Sequence, residues 1–123
     1  MPQYLLLSVG CDPLLMGTRT GLLVEAGYSV VPSFTSRDAF QMFISRDIDL
    51  VIICHTIPEE EKNKLIASMK ERNKRTPIVS IHADGEADGE LVDAYVHGLD
   101  GPVALLSCIA ELLDKSIGSR IAN

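Results

Sequence analysis

The residues best suited to chemistry are three cysteines and three histidines. Cys11 follows a short apolar run, YLLLSVG, while Cys54 and His82 close two others, LVIIC and PIVSIH. Two thiols and an imidazole, joined by Asp12 or His97, form a donor set for Zn²⁺ or another thiophilic ion. Two thiols on neighbouring strand ends would also serve as a redox pair, provided the geometry allows it. Against both stands the spacing: no CxxC is present and the cysteine count is odd, which fits reduced thiols in a reducing compartment. The plainer reading, preferred here, makes Cys11 and Cys54 small buried hydrophobes. His55 and His82 are then surface or loop-capping side chains. Histidine titrates near neutrality, which suits a pH sensor, but the pattern singles out none of the three. Cys108 is expected in the core. The acidic stretch at residues 84–90 lacks the ligand order of a calcium loop and reads as solvated. GCDPLL holds one glycine only, so no phosphate-cradling loop follows the first apolar run.

The elements that must position these residues follow from periodicity. Residues 49–58, DLVIICHTIP, carry an unbroken apolar run rich in β-branched residues, the mark of a strand buried on both faces. The same holds for residues 4–9. Asp12 and Pro13 predict a helix start, and Gly27 its end, with Leu15, Leu22 and Ala26 at helical spacing. Residues 28–31 predict a second strand, closed by Pro32. Thr35 and Asp38 resemble a capping box for a second helix carrying Ala39, Met42 and Phe43 inward. A third helix is predicted over residues 58–73, with Leu65, Ile66 and Met69 inward. Lys62, Lys64, Lys70 and Arg72 are read as its solvated face, acids leading and bases trailing as the helix dipole prefers. Residues 78–81 and 94–96 predict the last two strands. Between them, two glycines among acids allow at most a short helix near residues 87–92. The final helix is predicted from Val103 to about Lys115, capped by Asp100 or Gly101, with Leu106, Ile109 and Leu113 on one face and Leu105 and Leu112 on a second.

The chain has 123 residues and 46% hydrophobic content, which suits one domain, residues 1–123, with a real core. Trp is absent, so that core is aliphatic. A net charge of −6 argues against a nucleic-acid face. No apolar run reaches membrane-spanning length, and the expected location is the cytoplasm. Repeated βα units demand a parallel sheet with helices on both faces and right-handed crossovers.

On these residues the sequence resembles the receiver domains of bacterial response regulators, the CheY-like family. The matching pieces are LLLSVGCDPLL, EAGYSVV, DLVIICHTIP, TPIVSIHA and DGPVALLSCIAELL, which together span nearly the whole chain. The resemblance implies a flavodoxin-like three-layer α/β sandwich, with five parallel strands in order 2-1-3-4-5; the glycine-rich fourth helix is expected to be short. It also implies a phosphorylation pocket, and there every position departs from the family pattern. Gly10 and Cys11 stand where two adjacent acids belong. Cys54 stands at the phosphoacceptor Asp, His82 at a Ser or Thr, and Gly98 at a Lys. Asp12 is the single acid left, and its expected work is helix capping.

The expectation is therefore a degenerate pocket of Gly10, Cys11, Asp12, Cys54, His82 and Gly98 in a pseudo-receiver. Such a module signals in two-component or phosphorelay transduction by protein–protein contact. No catalysis, metal or cofactor is expected, nor any nucleic-acid or membrane partner. The module stands alone or forms one domain of a longer regulator. The alternative is a thiol-redox or metal sensor using Cys11, Cys54 and His82. The apolar surplus of the last helix marks Val103, Leu105 and Leu112 as a face for a signalling partner or a homodimer.

Overall fold

A computed structural model describes residues 4–82, 92–97 and 100–122. Among these are five strands, β1 (Leu5–Val9), β2 (Ser29–Ser33), β3 (Leu50–Ile53), β4 (Ile78–His82) and β5 (Ala94–His97). Four helices join them: α1 (Pro13–Glu25), α2 (Ser36–Ser45), α3 (Glu59–Arg72) and α4 (Pro102–Ala122). The strands form one parallel sheet in the order β2-β1-β3-β4-β5. This is the expected flavodoxin-like topology. The short helix expected near residues 87–92 falls mainly outside the described residues, as does Gly98. No helix among the described residues is long and apolar enough to cross a membrane.

The unbroken apolar strands make two cores, because successive side chains leave opposite faces. Leu7, Val9, Val51, Ile53 and Ile78 point to one face, where Ala39 and Phe43 of α2 and Leu65, Ile66 and Met69 of α3 cover them. Leu6, Leu50, Ile52, Val79, Ile81 and Val96 point to the other, under Leu23 of α1 and Leu105, Ile109 and Leu113 of α4.

Local chemistry sets the element ends. Asp12 caps α1, its carboxylate accepting from the amides of Leu14 and Leu15. At the other end Gly27 takes φ 102°. There the Gly27 amide donates to the Val24 carbonyl and the Tyr28 amide to the Leu23 carbonyl, the paired bonds of a Schellman turn. Thr35 caps α2 by accepting from the Asp38 amide. Asp49 ties β3 to β1 twice: its carboxylate accepts from the Leu5 amide, and its own amide donates to the Leu5 carbonyl. Asp93 ties β5 to β4 by accepting from the Ile78 amide at 2.8 Å and pairing with Lys70 at 2.6 Å.

Several sequence expectations shift. Pro32 does not close β2; it lies within the strand, which runs on to Ser33. β2 is an edge strand with β1 as its partner, and an edge tolerates a missing N–H. In α1 the buried residues are Met16 and Leu23, while Leu15 and Ala26 are exposed. α4 starts at Pro102 and reaches Ala122, beyond the expected end.

Candidate functional site

At the carboxyl end of the central strands the chain brings Gly10, Cys11, Cys54 and Thr56 together. β1 ends at Val9, whose carbonyl accepts from the Cys54 amide at 2.8 Å, so the ends of β1 and β3 are stitched side by side. A turn then closes from the Ile57 amide to the Cys54 carbonyl, with Ile57 buried as its anchor. The turn swings Thr56 back over the strand ends, where its hydroxyl accepts from the Cys11 amide at 2.9 Å. Gly10 is pressed into this corner. A Cβ there would stand 2.9 Å from Met16 Sδ, 3.0 Å from Cys54 Cβ and 3.3 Å from Thr56 Oγ1. Any larger side chain at this position must displace Cys54 or Thr56, not only the flexible Met16 thioether.

Cys54 is 1% exposed. Burial pushes its thiol up, but two other influences outweigh that effect. The hydroxyl and amide of Thr56 donate to the sulfur, and the Arg19 guanidinium both donates to it and places a positive charge beside it. The net result is a thiol held below its ordinary value. Arg19 is the cation beside Cys54. It lies on α1 between the buried Met16 and Leu23, and its Nη1 is buried with no hydrogen-bond partner among the described residues.

The other expected pocket residues separate. Asp12 serves α1 as its cap. Cys11 is exposed, and all three cysteines are free thiols. His82 is not a surface side chain but a buried one, packed edge-on against Tyr95 with ring centroids 4.6 Å apart. Strand alternation sends His82 to the face of Ser80, covered by α3, whereas Cys54 meets Arg19 on the α1 face. That division explains why Cys11, Cys54 and His82 make no metal site: among the described residues no three His, Cys, Asp or Glu side chains converge. Cys108 is half-buried against the core, and burial together with the Glu111 charge pushes its thiol up.

Three functional candidates were missed in the sequence: Thr56, Arg19 and Lys62. Lys62 was assigned to the solvated face of α3. Instead it is 4% exposed, and its Nζ donates to Ser80 Oγ at 3.1 Å. Lys70 likewise turns inward, to the Thr76 carbonyl and Asp93. A signal existed for both cations. Arg19 falls three residues after Met16, and Lys62 three before Leu65, so each interrupts an apolar helical stripe.

The expected face of α4 also changes. Leu105 is 5% exposed and belongs to the core with Ile109 and Leu113, at a spacing of four. Leu112 packs against that core half-buried, and Leu106 does the same. The buried stripe keeps the expected Ile109 and Leu113 and takes Leu105 in place of Leu106, so Leu105 belongs to the core rather than to an exposed face. Of the three interface candidates only Val103, 74% exposed, stands in solvent.

No protein-family model matches the chain, and no curated protein matches its sequence. Solved structures do match its fold. A CheY-like response regulator receiver domain protein from Methanospirillum hungatei JF-1 superposes with a TM-score of 0.86 at 20% identity, covering 96% of this chain and 99% of its own. The signal receiver domain of an HD domain-containing protein from Pseudomonas fluorescens Pf-5 gives 0.83 at 19% identity, over 98% of this chain and 93% of that one. The response regulator TrrA from Thermotoga maritima, in complex with Mg²⁺ and BeF, gives 0.82 at 20% identity, over 89% and 99%. The fold of this chain is that of CheY-like receiver domains.

Proposed function

We propose that the chain is a receiver-like signalling module of two-component or phosphorelay transduction that works without accepting a phosphoryl group. The carrying observation is Cys54, a buried thiol at the end of β3 held by Thr56 and Arg19, where receivers place their phosphoacceptor carboxylate. Phosphoryl transfer of that kind needs a carboxylate nucleophile and charge neutralisation of the transferring group. Mg²⁺, which supplies much of that neutralisation, prefers carboxylate and water oxygens. Gly10 and Cys11 offer no carboxylate, the Gly10 corner has no room for one, and Asp12 is engaged at the α1 amides. Gly10, Cys11, Asp12, Cys54 and His82 are on this reading the remnants of a phosphorylation pocket, with Gly98 as the sixth position.

The module is then a cytoplasmic, non-enzymatic contact protein without a cofactor. Its output is binding to a signalling protein or to a second copy. Exposed apolar side chains stand at the carboxyl end of the sheet to support such contact: Leu14 at 81% in the first turn of α1, Phe34 just after β2, and Val103 in the first turn of α4. The net charge of −6 speaks against nucleic acid as the partner.

Intact mass spectrometry after incubation with acetyl phosphate and Mg²⁺ tests the central claim. No phosphoryl gain is expected, either for the parent or for Cys54→Asp alone, since Mg²⁺ would still lack its paired acids. A phosphoryl group mapped to an aspartate of the parent at this end of the sheet would overturn the reading.

A further inference from the structure

A cleft of about 330 Å³ opens between α1, the β4–β5 edge and the start of α4, within the size range of small-molecule sites. Its floor is apolar: Ile81 and Val96, paired side by side on β4 and β5, with Leu22 of α1 and Leu105 of α4. Its polar lining is Thr18 and Arg19, successive residues of α1, with His97 at the end of β5. Arg19 carries the telling atom. One of its guanidinium nitrogens, Nη1, is buried without a hydrogen-bond partner among the described residues, an arrangement that is costly unless an acceptor meets it.

We propose that this cleft binds a small amphipathic monoanion, a carboxylate or sulfonate on a compact apolar body. The anionic group meets the Arg19 guanidinium, and the body lies on Ile81, Val96, Leu22 and Leu105. Guanidinium-to-oxyanion bonds are among the stronger hydrogen bonds in proteins. Arg19 is the only permanent cation lining the cleft among the described residues, in a chain of net charge −6, so a polyanion such as a nucleotide is disfavoured. Arg19 also touches Cys54. A ligand seated here therefore bears on the same corner that the receiver fold uses for its trigger. The site does not depend on how the chain signals: phosphorylation of the parent would overturn the reading above and leave this cleft as it is.

The test uses 1-anilinonaphthalene-8-sulfonate as the anion and N-phenyl-1-naphthylamine, the same rings without the sulfonate, as its neutral control. Titrations are followed by fluorescence and calorimetry. The parent is expected to bind one sulfonate molecule, and Arg19→Met to weaken that binding about tenfold or more. Arg19→Lys should recover part of the loss. The neutral control should bind more weakly and ignore Arg19→Met. Thr18→Trp, at an exposed position of α1, should block the cleft and abolish sulfonate binding; it carries the test if circular dichroism shows that Arg19→Met does not fold. Equal sulfonate affinity in the parent and in a folded Arg19→Met overturns the proposal, as does undiminished binding to Thr18→Trp, or multiple sites indifferent to both changes.

Discussion

Cys54 is where burial and local donors compete most directly. A thiol removed from water favours its neutral form, yet Thr56 and Arg19 tip the balance toward the thiolate. The thiolate absorbance near 240 nm, taken as the difference between parent and Cys54→Ala, should therefore titrate with a midpoint below the ordinary 9.0. In Arg19→Met, with the charge and one donor gone, the midpoint should move upward. The sign for stability follows from linkage. A pKa lowered by folding contributes stability that is fully present above the ordinary value and is lost as pH falls through the folded one. The advantage in melting temperature of the parent over Arg19→Met should thus widen as pH rises toward 9.0. An unchanged midpoint in Arg19→Met would show that Arg19 does not act on the sulfur.

Among the elements, α4 separates packing from contact most cleanly. Leu105 fills the floor between β4, β5 and α1, whereas Val103, two residues earlier, faces solvent. Chemical denaturation should read Leu105→Ala as a loss of about 2–5 kcal/mol, the range for truncating a buried leucine. Val103→Ala, exposed at the surface, should stay within about 0.5 kcal/mol. Comparable losses at both positions would contradict the burial assigned to this helix. The α3 lysines illustrate a different point about elements. Lys62 and Lys70 lead their ammonium groups to Ser80 and Asp93, so a helix with many charges still packs closely on its sheet.

For the whole molecule, the two cores on either side of one sheet account for most of the apolar side chains and leave few at the surface. Leu14 and Val103, in the first turns of α1 and α4, and Phe34, in the loop after β2, all lie at the carboxyl end of the strands, so a contact made there would sense the Cys54 corner. If self-association is the output, sedimentation of the parent should depend on concentration, and Leu14→Lys with Val103→Lys should remove that dependence with little change in melting temperature, as is usual for surface changes. A parent that stays monomeric across the accessible range would discard the homodimer and leave contact with a different protein.

Element order, parallel topology and strand burial were legible because each rests on local pattern: unbroken apolar runs, Asp-Pro and Gly at helix ends, and helical spacing in α2 and α3. The places of Gly10, Cys11 and Cys54 were legible in the same way, since each sits at a strand end that the pattern locates. The use of those positions depended on groups distant in sequence. Thr56 returns to the Cys11 amide across 45 positions, and Arg19 reaches Cys54 from another element. Lys62 finds Ser80 only once α3 lies on β4. In α4 the choice of Leu105 over Leu106 was not legible, because periodicity resolves such a choice poorly when a helix is apolar on more than one side. The sequence by itself determined which side chains stand at the end of the sheet; the tertiary structure decided which of them meet, because hydrogen bonds and packing act over a few ångströms between residues that the chain holds far apart.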